Sequence, residues 1–201
     1  MSQANATRPV VVRPLAPGDT STVYEVMDQL SARSVYLRFH AGMGRLKPRM
    51  AAALARVSAG DRQVLVARVD GHPVGLAHVA RVGTEAEVAL AVADAWQGTG
   101  IGRSLASAAA QAARGWGSGA LVAVVLPEHR QLRDWLARLG AAPDRQDPMM
   151  LRVPVGPDVE SVTGPAGAPR PLGVLEWPGA GPGARSAART AAGRCGGRAA
   201  G

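Results

Sequence analysis

The sequence predicts an α+β domain in which a mostly antiparallel sheet carries packed helices, and three observations lead there. Strand-like apolar runs alternate with segments whose apolar positions recur at three and four residues, the spacing of one helix face. Three consecutive strand-like runs are joined by tight turns, which makes them antiparallel neighbours. Hydrophobic residues are 47% of the chain but aromatics only 3%, so the core has to be built from Val, Leu and Ala, a composition suited to close packing of helices on a sheet.

The elements follow in order. Val10 to Leu15 reads as a first strand, and Pro17-Gly18-Asp19 as a turn whose aspartate caps the next helix. That helix carries Val23, Val26, Met27 and Leu30 on one face and is expected to run to about Ala32. Ser31 to Phe39 suggests a second short helix, and Pro48 suits the first position of a third, running through Val57. Val64 to Val69, Val74 to Val82 and Glu85 to Val92 read as three antiparallel strands, turned at Asp70-Gly71-His72-Pro73 and at Gly83-Thr84. A helix from Gly102 to Trp116 is stopped by Gly117-Ser118-Gly119. Leu121 to Leu126 is a buried-looking strand, broken by Pro127-Glu128. A helix with Leu132, Trp135, Leu136 and Leu139 on one face then ends at Gly140, and Met149 to Val155 forms a last strand. The domain is expected over residues 8–155. Residues 1–7 and the Gly/Pro/Ala/Arg-rich stretch 156–201 read as disordered, apart from a small apolar cluster at Leu172, Val174, Leu175 and Trp177.

Composition narrows the function classes. The net charge of +8 fits an anionic cofactor, an acidic substrate or a nucleic acid, but the arginines are scattered and lack the interleaved aromatics of single-strand binders, so a nucleic-acid partner is not expected. The one cysteine, Cys195, permits neither an internal disulfide nor a cysteine-based zinc site, and no metal site is expected. No apolar run reaches the ~20 residues of a membrane span, and residues 1–30 have no signal-type core. The expectation is a cytoplasmic protein without membrane contact, its oligomeric state left open, a homodimer included.

The informative segment is Val92-Ala93-Asp94-Ala95-Trp96-Gln97-Gly98-Thr99-Gly100-Ile101-Gly102, a glycine-rich turn between a strand and a helix. Glycines let the chain bend until successive N–H groups converge, and the helix adds the positive end of its dipole. Phosphate is the natural cargo; a helix-entry turn without a ligand is the competing reading. Neither glycine register matches Gly-x-Gly-x-x-Gly, and the Gly-Lys-Ser/Thr of a nucleotide-triphosphate loop is missing because Lys47 is the only lysine.

Gln97-x-x-Gly100-x-Gly102, between an antiparallel strand and a helix, resembles the acyl-CoA-binding motif of the GNAT acyltransferase superfamily. The resemblance extends over residues 8–153. Arg13-Pro14-Leu15 with Gly18-Asp19, the string Ser34-Val35-Tyr36-Leu37-Arg38-Phe39, then Glu87 to Val92 and Leu136 through Leu139-Gly140 follow the order of the GNAT domains in bacterial protein lysine acetyltransferases. It implies the GNAT fold, α/β/α layered, with a twisted sheet of about six or seven strands, helices on both faces and a splayed strand pair at the cofactor site. Acetyl-CoA is then the cosubstrate. Gln97, Gly98, Thr99, Gly100, Ile101 and Gly102 would hold its pyrophosphate, Arg103 would add charge, and backbone groups near Val92 and Ala93 would pair with its pantetheine amides.

The same resemblance matches Glu87 to the strand glutamate proposed as general base. A lysine ammonium near pKa 10.4 facing a carboxylate near 4.3 is a mismatch of about six units, or ~8 kcal/mol, so Glu87 needs burial or a water relay. Glu85 competes, but solvent at the turn would keep it acidic. With a two-residue turn at Gly83-Thr84, His78 would pair with Ala89 and lie diagonal to Glu87. A half-buried, backbone-satisfied His78 is the plainer expectation. His129 stands at the start of the last domain helix, where the family usually has an asparagine that contacts cofactor or backbone. That helix offers no tyrosine as acid for the departing thiolate, and Leu139-Gly140-Ala141 departs from the usual Leu-Gly-Phe. His40 and His72 read as surface residues, Tyr24 and Tyr36 as packing residues, and Trp96 as an anchor of the loop. The expected activity is acetyl transfer from acetyl-CoA to a primary amine, a protein lysine among them. A small-molecule amine acetyltransferase, or a catalytically weak acyl-CoA-binding regulator, is the alternative.

Overall fold

A computed structural model of the chain describes residues 9–155; the expectations for residues 1–7 and 156–201, the 172–177 cluster included, lie outside the described residues. In chain order the elements are β1 (Val10–Pro14), α1 (Thr20–Met27), α2 (Ala32–Phe39), α3 (Pro48–Leu54), β2 (Arg62–Val69), β3 (His72–Val82) and β4 (Glu85–Val92). A single 3-10 turn (Asp94–Trp96) leads to α4 (Ile101–Gly115), β5 (Ala120–Val124), α5 (Arg130–Arg138), β6 (Ala142–Pro143) and β7 (Met150–Pro154). The strands form one seven-stranded sheet in the order β1-β2-β3-β4-β5-β7-β6. Every pairing is antiparallel except that of β4 with β5.

The two sheet faces are covered differently, as the side-chain alternation of the strands requires. Ala86, Val88, Leu90 and Val92 of β4 pack with Ile101, Leu105, Ala109 and Ala113 of α4. Leu121 joins this cluster, and α5 extends the layer through Leu136 against Val125 and Leu151. The opposite face presents Val64, Val66 and Leu76 to Val23, Val26 and Met27 of α1, Val35 of α2 and Ala51 and Leu54 of α3. Fully burying a leucine such as Leu105 contributes about 1.5–3 kcal/mol, and these two layers hold most of the buried side chains. Gly75 of β3 makes the α4 layer close: a Cβ there would stand 3.0 Å from both the Ala91 carbonyl oxygen and Leu105 Cδ1.

Caps and turns explain where the elements stop. Asp19 caps α1, accepting from the Thr22 amide at 3.0 Å. The helix expected to reach Ala32 ends at Met27, because Ser31 starts a new one by accepting from the Ser34 amide at 3.2 Å. Similarly α3 ends at Leu54, three residues short of the expectation. The Gly83-Thr84 turn sets the predicted register, Ala80 opposite Glu87 and His78 opposite Ala89. β6 is only two residues long and carried no periodic signal in the sequence.

Candidate active site

β4 and β5 are paired only at Ala86 with Leu121 and Glu87 with Val122. Beyond those pairs the two strands part, although β4 continues to Val92 and β5 to Val124. The Ala93 amide donates to the Val74 carbonyl at 2.9 Å, which places the odd-numbered peptide groups of β4 toward β3. By alternation, the backbone edges of Val88, Leu90 and Val92 face the opening. An extended amide-bearing chain can pair there.

At the C-terminal end of this opening lies the glycine loop. Gly98 and Gly100 have φ of +75° and +94°, values that side-chain-bearing residues rarely adopt. Gly100 is the N-cap of α4, and Thr99 Oγ1 ties the turn by donating to the Trp96 carbonyl at 2.6 Å. Among the described residues, the amides of Gly98, Thr99, Gly100, Ile101, Gly102 and Arg103 have no backbone acceptor. Six successive unpaired N–H groups at a helix start make a cradle for a pyrophosphate. Arg103 is exposed on the first turn of α4, next to the cradle. The residues present therefore fit the phosphates of acetyl-CoA.

Two of the expected cofactor residues play other parts. Both backbone groups of Ala93 are taken, its amide by Val74 and its carbonyl by the Trp96 amide at 2.8 Å, and its side chain is buried, which leaves it no backbone group to pair with a pantetheine amide. The side chain of Gln97 turns back onto α2, with Nε2 3.1 Å from Ser34 Oγ, 3.1 Å from the Val92 carbonyl and 3.2 Å from Asp94 Oδ1. Asp94 in turn accepts from the Ser31 amide at 3.3 Å. Gln97 thus braces the loop against the start of α2. His129 is half-buried at the N-cap of α5, where burial, and then the charge of Arg33, lower its pKa below the usual imidazole value.

Glu87 sits half-buried where β4 and β5 part, on the face covered by α1, α2 and α3. Its neighbour Arg38 carries no local signal that singles it out. This α2 residue stacks its guanidinium 4.8 Å from the centre of the Phe39 ring and approaches His78 Nδ1 at 3.2 Å. Burial pushes its pKa down to about 10 while the charge of Glu87 works against that fall. The string Tyr36-Leu37-Arg38-Phe39 was visible as a family likeness, but nothing in it marked the arginine as inward-facing.

His78 lies diagonal to Glu87, as the register requires, and its ring is satisfied by backbone, Nε2 standing 2.9 Å from the Leu54 carbonyl. Burial, then the charge of Arg38, push its pKa down to about 3. Glu85 is held in an ion pair with Arg152: Nε of Arg152 contacts Glu85 Oε1, and NH2 donates to Oε2 at 3.1 Å. His40 is also no surface residue. It ends α2 in the left-handed region with φ 57°, and burial, then the Arg38 charge, lower its pKa against an opposing hydrogen bond with the Val124 backbone. Tyr36 is exposed, and its hydroxyl donates to Glu128 Oε1 at 2.9 Å. Through these contacts α2 spans the opening, reaching the loop at one end and β5 at the other. A separate cleft of about 370 Å³, between Glu25, Gln29, Asp70, His72 and Trp96, is lined by neither Glu87 nor the residues from Gln97 to Gly102.

Comparison with known proteins agrees with this geometry. Residues 26–141 match the model of the acetyltransferase (GNAT) family, and the chain belongs to that family. It is similar to the GNAT domain of S. lividans PAT, with 25% identity and a TM-score of 0.65 over 76% of this chain and 98% of that one. It is also similar to the cAMP-binding acyltransferase from Mycobacterium smegmatis, with 31% identity and a TM-score of 0.51. There it covers 76% of its own length and 46% of the other chain. The fold is shared with yncA of Salmonella typhimurium, solved with its cofactor acetyl-CoA, at 16% identity and a TM-score of 0.57 over 79% and 98% of the two chains. The chain is therefore an acetyl-CoA-dependent acetyltransferase. No helix among the described residues is long and apolar enough to cross a membrane.

Proposed function

We propose that the domain transfers the acetyl group of acetyl-CoA to a primary amine, a lysine side chain of a protein, with Glu87 as general base. The observation that carries the reading is the position of Glu87 at the point where β4 and β5 part, five residues before the end of the strand that leads to the phosphate cradle. At ~3.3 Å per residue that is about 17 Å, a distance suited to an extended pantetheine arm. Gly98 to Arg103 hold the pyrophosphate through backbone amides. Val92 and Leu90 offer their peptide groups to the arm, and the Val88 amide, on the same strand edge beside Glu87, donates to the oxyanion of the tetrahedral intermediate.

The acceptor approaches from the α2 face. Its amine must arrive neutral, and the six-unit mismatch with a carboxylate is bridged by a water that Glu87 orients, because Arg38 attracts the charged form of the carboxylate. Likeness to the S. lividans PAT domain and the string from Ser34 to Phe39 favour a protein lysine as acceptor.

Two measurements test this. Glu87→Gln is expected to lower kcat by roughly 10²–10⁴-fold, the usual contribution of general base catalysis, with acetyl-CoA affinity retained. Mass spectrometry of a lysate incubated with the protein and labelled acetyl-CoA should find label on lysine side chains of proteins. Label confined to small amines would move the acceptor to that class, and binding without turnover on any amine or protein would sink the enzymatic reading.

A further inference from the structure

We infer that Arg38 is a positioning residue for Glu87, held from α2 by a chain of contacts that ends on the backbone of α3. The inference rests on the reading of Glu87 as the base and extends it to a residue on a different element.

The chain can be followed atom by atom. A guanidinium has donors and no acceptor, so Nδ1 of His78, 3.2 Å from Arg38 NH2, accepts. The proton of the neutral ring is then on Nε2, which donates to the Leu54 carbonyl at 2.9 Å. Leu54 is the last residue of α3, and its carbonyl has no partner within the helix. The imidazole satisfies that carbonyl and offers Arg38 a fixed acceptor. The Phe39 ring at 4.8 Å packs against the same guanidinium. Arg38 is thus oriented by two neighbours, and its charge interacts with Glu87.

An inward-facing arginine is an expensive choice for α2, whose buried face is otherwise set by Val35. Desolvating a cation is costly unless it is paired and hydrogen-bonded, and packing alone would be served as well by leucine. The planar fork can bond His78 with one nitrogen and keep others for a carboxylate, which a lysine ammonium cannot do with the same rigidity.

Of the other charged groups on this face, Glu85 and His40 are engaged elsewhere. Glu85 is clasped by Arg152 of β7, which also stands 3.8 Å from Asp144. Arg62 of β2 and Arg38 both bear on His78, and His40 of α2 interacts with the Val124 backbone and Glu128. Arg38 is the cation whose placement follows that of Glu87.

The test compares Arg38→Met, Arg38→Lys and His78→Leu with Glu87→Gln, each checked for folding by thermal melt. With saturating acetyl-CoA and an amine acceptor, Arg38→Met is expected to lose roughly tenfold to a hundredfold in kcat, the scale of a misplaced catalytic group. Its acetyl-CoA dissociation constant should be unchanged and the acid limb of its pH profile should move to higher pH, since the opposite charge beside the carboxylate is gone. Arg38→Lys should restore the limb and only part of kcat. His78→Leu, which keeps the cation but removes its anchor, should lower kcat without moving acetyl-CoA binding, and it decides the matter if Arg38→Met does not fold. A folded Arg38→Met or His78→Leu protein with wild-type kcat and pH profile overturns the inference. If Glu87→Gln is inactive in the same assay, that failure is of the positioning role alone; if Glu87→Gln is fully active, the base assignment itself has failed.

Discussion

At the Val92 end of β4 the site is made of backbone, and at the Glu87 end it is made of side chains. The first needs glycines at Gly98 and Gly100, where φ is positive, a helix start and a strand edge, features set by local sequence and braced from α2 through Gln97. The second needs Arg38 from α2, His78 from β3 and the Leu54 carbonyl from α3 to meet beside one carboxylate. A backbone site is specified locally, and a side-chain site is specified by tertiary packing. On the proposed reading, binding of the cofactor and activation of the acceptor are correspondingly separable.

Perturbing the backbone end should give the largest effect on acetyl-CoA affinity. Gly100→Val puts a β-branched residue at φ +94°, a conformation that costs on the order of 1–3 kcal/mol. The loop is expected to relax away from the cradle geometry, and acetyl-CoA affinity measured by titration calorimetry should fall roughly tenfold to a hundredfold. Retained affinity would mean that convergent amides are not what holds the phosphates.

A second variant separates packing from ligand contact. Gly75→Val forces atoms against the Ala91 carbonyl and Leu105, where even a Cβ would stand at 3.0 Å. Overpacking of this kind costs about 1–3 kcal/mol and should appear as a lower melting temperature. Because α4 carries the loop, acetyl-CoA affinity should drop with it, whereas a distant destabilising change leaves the affinity of the folded fraction intact.

The smallest effect is a pH dependence at the side-chain end. His78 has a pKa of about 3 in the fold against an ordinary value of 6.5, so between these values the unfolded chain binds more protons than the native one. By linkage, stability is fully present above about pH 6.5 and declines as the pH falls toward 3. His40 and His129, also lowered, act in the same direction. Replacing His78 with Gln should therefore flatten only part of the slope of melting temperature between pH 7 and 5; an unchanged slope would place the ring in contact with water.

What could be read from the sequence follows the same division. The meander from β2 to β4 was legible because Asp70-Gly71 and Gly83-Thr84 are strong turn signals between alternating apolar runs, and the register that sets His78 diagonal to Glu87 followed from turn length alone. The loop was legible because glycine spacing speaks of backbone conformation. The start of α2 at Ser31 was legible too, but the end of α1 at Met27 was not, since apolar spacing continues through Leu30. Arg38 was missed because an arginine on a short helix reads as solvated; only the packing of α2 over the sheet turns it inward. The motif points to Gln97 as a cofactor ligand, yet its contact with Ser34 depends on where α2 lies, which no local pattern encodes. The taking of Glu85 by Arg152, 67 residues away in the chain, is a further consequence of sheet order.

The separation of the two ends is tested most directly by measuring acetyl-CoA affinity and turnover side by side in Gly100→Val and Glu87→Gln. The account predicts that Gly100→Val loses affinity and recovers turnover as acetyl-CoA is raised, while Glu87→Gln binds acetyl-CoA as the wild type does and turns over slowly at every concentration. Equal losses of affinity in both variants, or wild-type turnover in Glu87→Gln, would contradict it.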